Sequence, residues 1–146
     1  MLESNMEKTL VMGTVGSDIH SVANTLIEKE LSEKGFFVIN LGVAVPEIEW
    51  INAISKKPAD LVLIGSMNGD LLPVIQLVDE LKKFISPEKI IVGGKLNLGS
   101  ESQSLSPFLR AMGVNVMDSD AITFKNISDT CLEIVGFSKV SKRKIL

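Results

Sequence analysis

Five short apolar runs rich in Val, Ile and Leu recur along the chain, at residues 9–15, 36–41, 60–64, 89–92 and 114–117, each of strand length. Between them apolar positions repeat every three to four residues over 22–33, 46–55, 71–84 and 105–112, with a last such stretch at 127–135. That spacing lays one apolar stripe along an α-helix. Gly35 and Gly113 follow two of these helices, where a left-handed cap closes the last turn, and Pro46 and Pro107 fall where a first turn tolerates a missing N–H. Regular alternation of strand and helix requires right-handed crossovers, and hence a parallel sheet covered on both faces. With five strands the expected architecture is α/β: a flavodoxin-like (Rossmann-like), doubly wound, five-stranded parallel sheet of order 2-1-3-4-5 in a three-layer αβα sandwich.

The 146 residues contain no repeat, linker or low-complexity tract, which predicts one domain over 1–146 with its core at about 8–137 and a short basic tail at 138–146. Hydrophobic residues make up 45% of the chain, as helices and strands with buried faces require. No apolar run approaches the roughly 20 residues that span a bilayer, and the N-terminal MLESNMEK carries acids where a secretory signal is apolar, so a cytoplasmic location is expected. The single cysteine, Cys131, excludes a disulfide framework and reads as a small buried helix residue. The net charge is −3, and setting aside Lys139, Lys142, Arg143 and Lys144 from the 15 basic residues leaves 11 against 18 acids, a balance of −7. Nucleic acid is thereby excluded as a partner for the body, and the basic tail reads as a solvated end.

In the expected order, strands 1, 3 and 4 are contiguous, so the loops at their carboxyl ends meet at a topological switch point, where ligands bind in this architecture. Those loops span 16–21, 66–70 and 93–99. The first holds the only histidine, His20, two residues after Asp18. An imidazole can place one nitrogen on a metal while the other donates to a carboxylate, which fixes the tautomer and makes a better ligand. One histidine does not hold a bare zinc or iron ion, but it can serve as an axial ligand to a metal already held by a macrocycle. The alternative is that Asp18 caps the following helix and His20 is an exposed loop residue. The loop after the third strand reads Gly65-Ser66-Met67-Asn68-Gly69 and the loop after the fourth strand Gly93-Gly94-Lys95-Leu96-Asn97-Leu98-Gly99. Their glycines either let backbone approach a bulky, mostly apolar ligand or serve only to turn a strand sharply into a helix. The stretch Gly93 to Gly99 does not end in the GK[ST] of a phosphate-binding P-loop.

The run Asp18-Ile19-His20-Ser21-Val22-Ala23, with Ser66 and Gly93-Gly94 farther on, resembles the DxHxxG…S…GG signature of cobalamin-binding domains. VMGTVGSDIHSVAN, GFFVINLGVAVP, PADLVLIGSMNG and IIVGGKLNLG extend the resemblance to the small (sigma) subunits of glutamate mutase, also called methylaspartate mutase subunit S, over about 8–135. This resemblance implies base-off, His-on binding of adenosylcobalamin, in which His20 replaces the cofactor's own dimethylbenzimidazole as the lower axial ligand to cobalt and Asp18 holds the far imidazole nitrogen. It also implies that Ser17, Asp18, Ile19, His20 and Ser21, with Ser66, Met67 and Asn68, and Lys95, Leu96, Asn97, Leu98 and Gly99, lie along the corrin and its nucleotide tail. Gly93 and Gly94 would leave room for that tail. The third signature position, usually glycine, is Ala23, whose extra methyl costs on the order of 1 to 3 kcal/mol if the tail packs against it. Asn68 stands where the family often has a larger residue.

The resemblance further implies a cofactor-binding component of an isomerase, inactive alone, that presents adenosylcobalamin to a larger TIM-barrel catalytic subunit of epsilon type, in a heterotetramer that interconverts glutamate and 3-methylaspartate. Composition agrees on the need for a second chain: a dicarboxylate is held best by bidentate arginines, and only Arg110 and Arg143 exist. The alternatives within the fold are the cobalamin-binding subunit of another mutase or of a methyl-transfer system, and a cobalamin-binding-like interaction or sensory module. Methyl carriers of this type usually have a helical bundle ahead of the domain, for which the eight residues before the first strand leave no room. A phosphoacceptor receiver domain would need an aspartate where Ile64-Gly65-Ser66 stands. A flavodoxin would want aromatics around its flavin; this chain has no tyrosine, and its one tryptophan, Trp50, reads as helix packing.

Overall fold

The structure, a computed structural model, describes residues 8–15, 21–66, 72–94, 106–118 and 124–136. Five strands alternate with five helices among these residues: β1 (Thr9–Thr14), α1 (Ser21–Glu33), β2 (Phe37–Asn40), α2 (Glu47–Lys56), β3 (Leu61–Ser66), α3 (Leu72–Leu81), β4 (Ile90–Gly94), α4 (Ser106–Ala111), β5 (Asn115–Asp118) and α5 (Phe124–Val135). A single 3-10 turn, Pro87–Lys89, leads into β4. All strand pairs are parallel and the order is β2-β1-β3-β4-β5, the doubly wound arrangement expected from the alternation of apolar runs.

Alternation of side chains across the pleat divides the core in two. Leu10, Met12, Leu61, Leu63 and Ile91 face α1 and α5, where they meet Leu31, Ile127 and Cys131. Val11, Val62, Ile64, Ile90 and Val92 face α2, α3 and α4, where they meet Trp50, Ile54, Val74, Leu77, Val78, Leu81 and Leu109. Each of these large side chains, fully withdrawn from water, contributes about 1.5–3 kcal/mol, so this two-sided burial holds the sheet between its helix layers. Trp50 lies in the core, its ring over Gly13, where a Cβ would come within 3.0 Å of the indole. Burial pushes the Cys131 thiol up to about 12, so it stays protonated and serves only as a small apolar wedge.

The caps at Gly35 and Gly113 adopt positive φ (101° and 93°), and Gly136, unanticipated in the sequence, ends α5 in the same way at 86°. Pro46 is the residue just before α2 rather than part of its first turn. The α5 helix begins three residues earlier than its apolar periodicity indicates.

The chief departure from expectation lies at the centre of the sheet. Gly65-Ser66 and Gly93-Gly94, read from the sequence as loop, continue β3 and β4, with Gly65 opposite Gly93 and Ser66 opposite Gly94. Glycine is a poor strand former in general, but here the ladder supplies the hydrogen bonds and a bare backbone is what the local geometry needs. Gly94 has φ 132°, and a Cβ there would collide with the Ser66 carbonyl oxygen and lie 2.7 Å from the carbonyl carbon. Gly94→Ala is therefore expected to destabilise the fold by more than ~3 kcal/mol, through a strained φ and backbone overlap together. Gly35→Ala, with no atom within 4 Å of the added Cβ, should cost only about 1–2 kcal/mol. Urea unfolding of both variants measures the difference, and equal losses would contradict the steric account.

Candidate functional site: a glycine-floored cleft at the switch point

The carboxyl ends of β1, β3 and β4 border a narrow cleft, partly open to solvent, on the α1 and α5 side of the sheet. Its floor is Gly65, Gly93 and Gly94, with the backbone of Gly13 and Thr14. Ala23, Asn24 and Ile27 form one wall, Met117 and Ile127 the other, and Met12 and Leu63 lie at depth. A strand position without a side chain leaves a flat, unobstructed surface at the place where every other residue on this face fills the core. The walls are almost wholly apolar and the polar groups are few, which is the character of a site that buries a planar organic group.

One wall is fixed by a polar network. Asn24, buried in the apolar stripe of α1, accepts from Asn40 Nδ2 at 2.6 Å, and the same Asn40 amide donates to Glu28 at 2.9 Å. Asn40 Oδ1 accepts the Gly42 N–H at 2.9 Å, while Asn24 Nδ2 lies 3.4 Å from the Gly42 carbonyl oxygen. The Thr14 N–H donates to that same carbonyl at 3.0 Å, and the N–H groups of Ala44 and Val45 donate to the hydroxyl and carbonyl of Thr14, both at 2.9 Å. The start of α1, the end of β1 and the loop after β2 thus move as one piece. Each net hydrogen bond contributes about 1 kcal/mol, but leaving a buried amide unpaired costs about 1–3 kcal/mol, so the network specifies one arrangement.

Of the site residues expected from the sequence, the structure brings Gly93 and Gly94 onto the floor of the cleft. Ser21 is exposed as the first residue of α1. Ser66 is fully buried, next to the floor, and its hydroxyl has no hydrogen-bond partner among the described residues. Alternation along β3 sets it with Val62 and Ile64, on the opposite face from Gly65, and it does not line the cleft. Ser17, Asp18, Ile19, His20, Met67, Asn68, Lys95, Leu96, Asn97, Leu98 and Gly99 lie outside the described residues. Ala23, singled out as a departure from the signature, does line the cleft. Sequence reasoning missed Asn24, Asn40 and Glu28. A polar residue inside an otherwise apolar helical stripe was the available signal for Asn24; its partner on β2 has none without the fold.

A model of the B12 binding domain matches residues 8–108. Glutamate mutase sigma subunit 1 of Haloarcula marismortui is 36% identical over 118 residues, which cover 79% of this chain and 78% of that one. The sigma subunit of Halobacterium salinarum is 32% identical over 128 residues, covering 86% of each. The chain belongs to the B12 binding domain family, with the glutamate mutase sigma subunits. A crystal structure of a cobalamin-binding protein from Desulfitobacterium hafniense shares the fold, with a TM-score of 0.69 at 19% identity over 89% of this chain. The chain spans about 60% of the length of that protein.

Within this family membership, the buried, unpartnered Ser66 hydroxyl makes a direct prediction. Ser66→Ala removes a polar atom that the isolated fold leaves unsatisfied, so the variant should unfold at an unchanged or higher denaturant midpoint, by up to about 1 kcal/mol. A loss above about 1 kcal/mol in the cofactor-free chain would show that the hydroxyl already has a structural partner.

Proposed function

We propose that this chain is the cobalamin-binding subunit of a glutamate mutase-type isomerase and that it holds adenosylcobalamin base-off, with His20 as lower axial ligand to cobalt. The observation that carries the reading is the cleft with a bare glycine floor and apolar walls at the switch point. The residues fit the group: a flat heterocyclic tail needs a slot that no side chain crosses, and Gly65, Gly93 and Gly94 leave one between Ala23 and Asn24 on one side and Met117 and Ile127 on the other. His20 immediately precedes α1, whose first turns form the first of those walls.

In this reading the chain's work is positioning. The cleft would take the dimethylbenzimidazole tail, His20 would supply a nitrogen to the cobalt, and Asp18 would accept from the other imidazole nitrogen and so set its tautomer. Met67 and Asn68, which follow β3 in the sequence, and Lys95, Leu96, Asn97, Leu98 and Gly99, which follow β4, would border the corrin together with Ser17, Ile19 and Ser21. The cofactor supplies the radical chemistry of its cobalt–carbon bond. With Arg110 and Arg143 as its only arginines, the chain is poorly equipped for bidentate recognition of carboxylates, and binding of a dicarboxylate substrate falls to a larger catalytic subunit, a TIM barrel of epsilon type, working with this chain in the cytoplasm. Among the described residues no helix is long and apolar enough to cross a membrane.

The wild-type chain should retain cobalamin through gel filtration, with an absorption spectrum lacking the base-on band. His20→Ala should lower the affinity tenfold or more and change the spectrum of whatever remains bound. Equal affinity and an identical spectrum in the variant would refute the axial assignment.

A further inference from the structure

Seven large hydrophobic side chains are exposed among the described residues, and four are not scattered. Val22 (72% exposed), Ile48 (59%), Leu72 (56%) and Phe108 (63%) each sit within the first three residues of α1, α2, α3 and α4. In a parallel α/β sheet those first turns form the rim around the carboxyl ends of the strands. At the opposite end Phe37 is partly covered by Lys57, whose ammonium lies 5.5 Å from the ring centroid. Isolated surface apolar residues need no explanation, but four on one rim mark a surface that another chain covers.

A second cavity, open to solvent, lies on this rim, on the face of the sheet away from the cofactor cleft. Val15, Val45, Trp50 and Leu77 make its apolar floor, and Glu47 and Gln76 its polar edge. Ile48 and Leu72 adjoin the lining residues Glu47 and Pro73. The indole N–H of Trp50 is buried without a hydrogen-bond partner among the described residues. The loop that forms the upper edge holds Ala44 at φ 51°, a left-handed conformation that costs a non-glycine residue about 1–2 kcal/mol. Hydrogen bonds to Thr14 keep it there.

We propose that this cavity and its apolar flanks, Ile48 and Leu72, are the docking socket for the catalytic subunit, which inserts an apolar anchor side chain ringed by basic residues. The proposal rests on the cofactor-binding reading above and extends it to where the partner grips. Three observations favour this occupant. The socket and the cofactor cleft meet the same carboxyl-terminal end of the sheet, at the neighbouring residues Val15 and Thr14, so a subunit seated on the socket lies over the end of the sheet that holds the cofactor. Glu47 and Glu49 in the first turn of α2 face no cation within that turn, which suits a basic partner rim. A second copy of this chain is disfavoured because a two-fold contact through this patch sets the same acids against one another. A buried anchor in a pocket with a charged rim is also the usual anatomy of an energetic hot spot.

The test uses ¹⁵N-labelled chain loaded with cobalamin and titrated with the unlabelled catalytic subunit of the same organism. Because the sequence has one tryptophan, a single indole N–H resonance reports on the socket. That resonance should shift or broaden on adding the catalytic subunit. Ile48→Asp and Leu72→Asp should each weaken association tenfold or more, while Phe84→Asp, on a surface away from this rim, leaves it unchanged. Glu47→Lys should weaken association and reduce its dependence on salt. Undiminished association in Ile48→Asp and Leu72→Asp, no association of the wild type, or loss of a self-dimer alone in sedimentation would each overturn the proposal. If the wild type fails to retain cobalamin yet loses its partner on Ile48→Asp, the cofactor reading fails and the socket stands.

Discussion

Where β3 and β4 end, Gly65 pairs with Gly93 and Ser66 with Gly94, and the two backbones leave no space for a Cβ at Gly94. This close pairing at the centre of the sheet is the constraint on which the site depends. It removes side chains from the one strip of the α1 and α5 face that would otherwise be filled by core residues, so a slot remains beneath Ala23 and Asn24. It also buries the Ser66 hydroxyl without a partner among the described residues. Any side chain in that strip would close the slot, and any separation of the strands would break the ladder that holds β4 and β5 to the rest.

The network of Asn24, Asn40 and Glu28 connects this floor to the rim. Asn40 lies at the end of β2, Asn24 and Glu28 on α1, and through Gly42 they reach the backbone of Thr14 at the end of β1. The loop after β2 is therefore held by the same residues that fix the cleft wall, and it edges the second cavity on the opposite face. A cofactor site and a partner site built on the two sides of one strand end share their scaffold. Such sharing suits a subunit whose task is to position a cofactor under another chain.

Much of the fold was legible because its signals are local. Runs such as 9–15 and 60–64 are short, β-branched and bounded by turn residues, and Gly35 and Gly113 mark helix ends through the conformation only glycine adopts readily. Parallel order follows from alternation and the handedness of crossovers. Gly65-Ser66 and Gly93-Gly94 were misplaced into loops because their strand conformation comes from pairing with each other, a tertiary effect that overrides propensity. For the site, Gly93, Gly94 and Ala23 were legible as motif positions, whereas Met12, Met117 and Ile127 read only as core. Their role as cleft walls arises from what is absent between them, and the sequence shows an absence only as a glycine. The facing direction of Ser66 depends on strand alternation continuing two residues past the expected end of β3, so it too required the structure.

The central claim is that a protein nitrogen from His20 occupies the lower face of the cobalt. The chain has one histidine, so labelling with ¹⁵N-histidine marks that residue alone. Electron paramagnetic resonance of the bound cob(II)alamin, recorded with and without the label, reads the axial nitrogen directly. The account predicts that the superhyperfine splitting changes from the triplet of ¹⁴N to the doublet of ¹⁵N. An unchanged triplet would mean that the cofactor keeps its own base, and would contradict it.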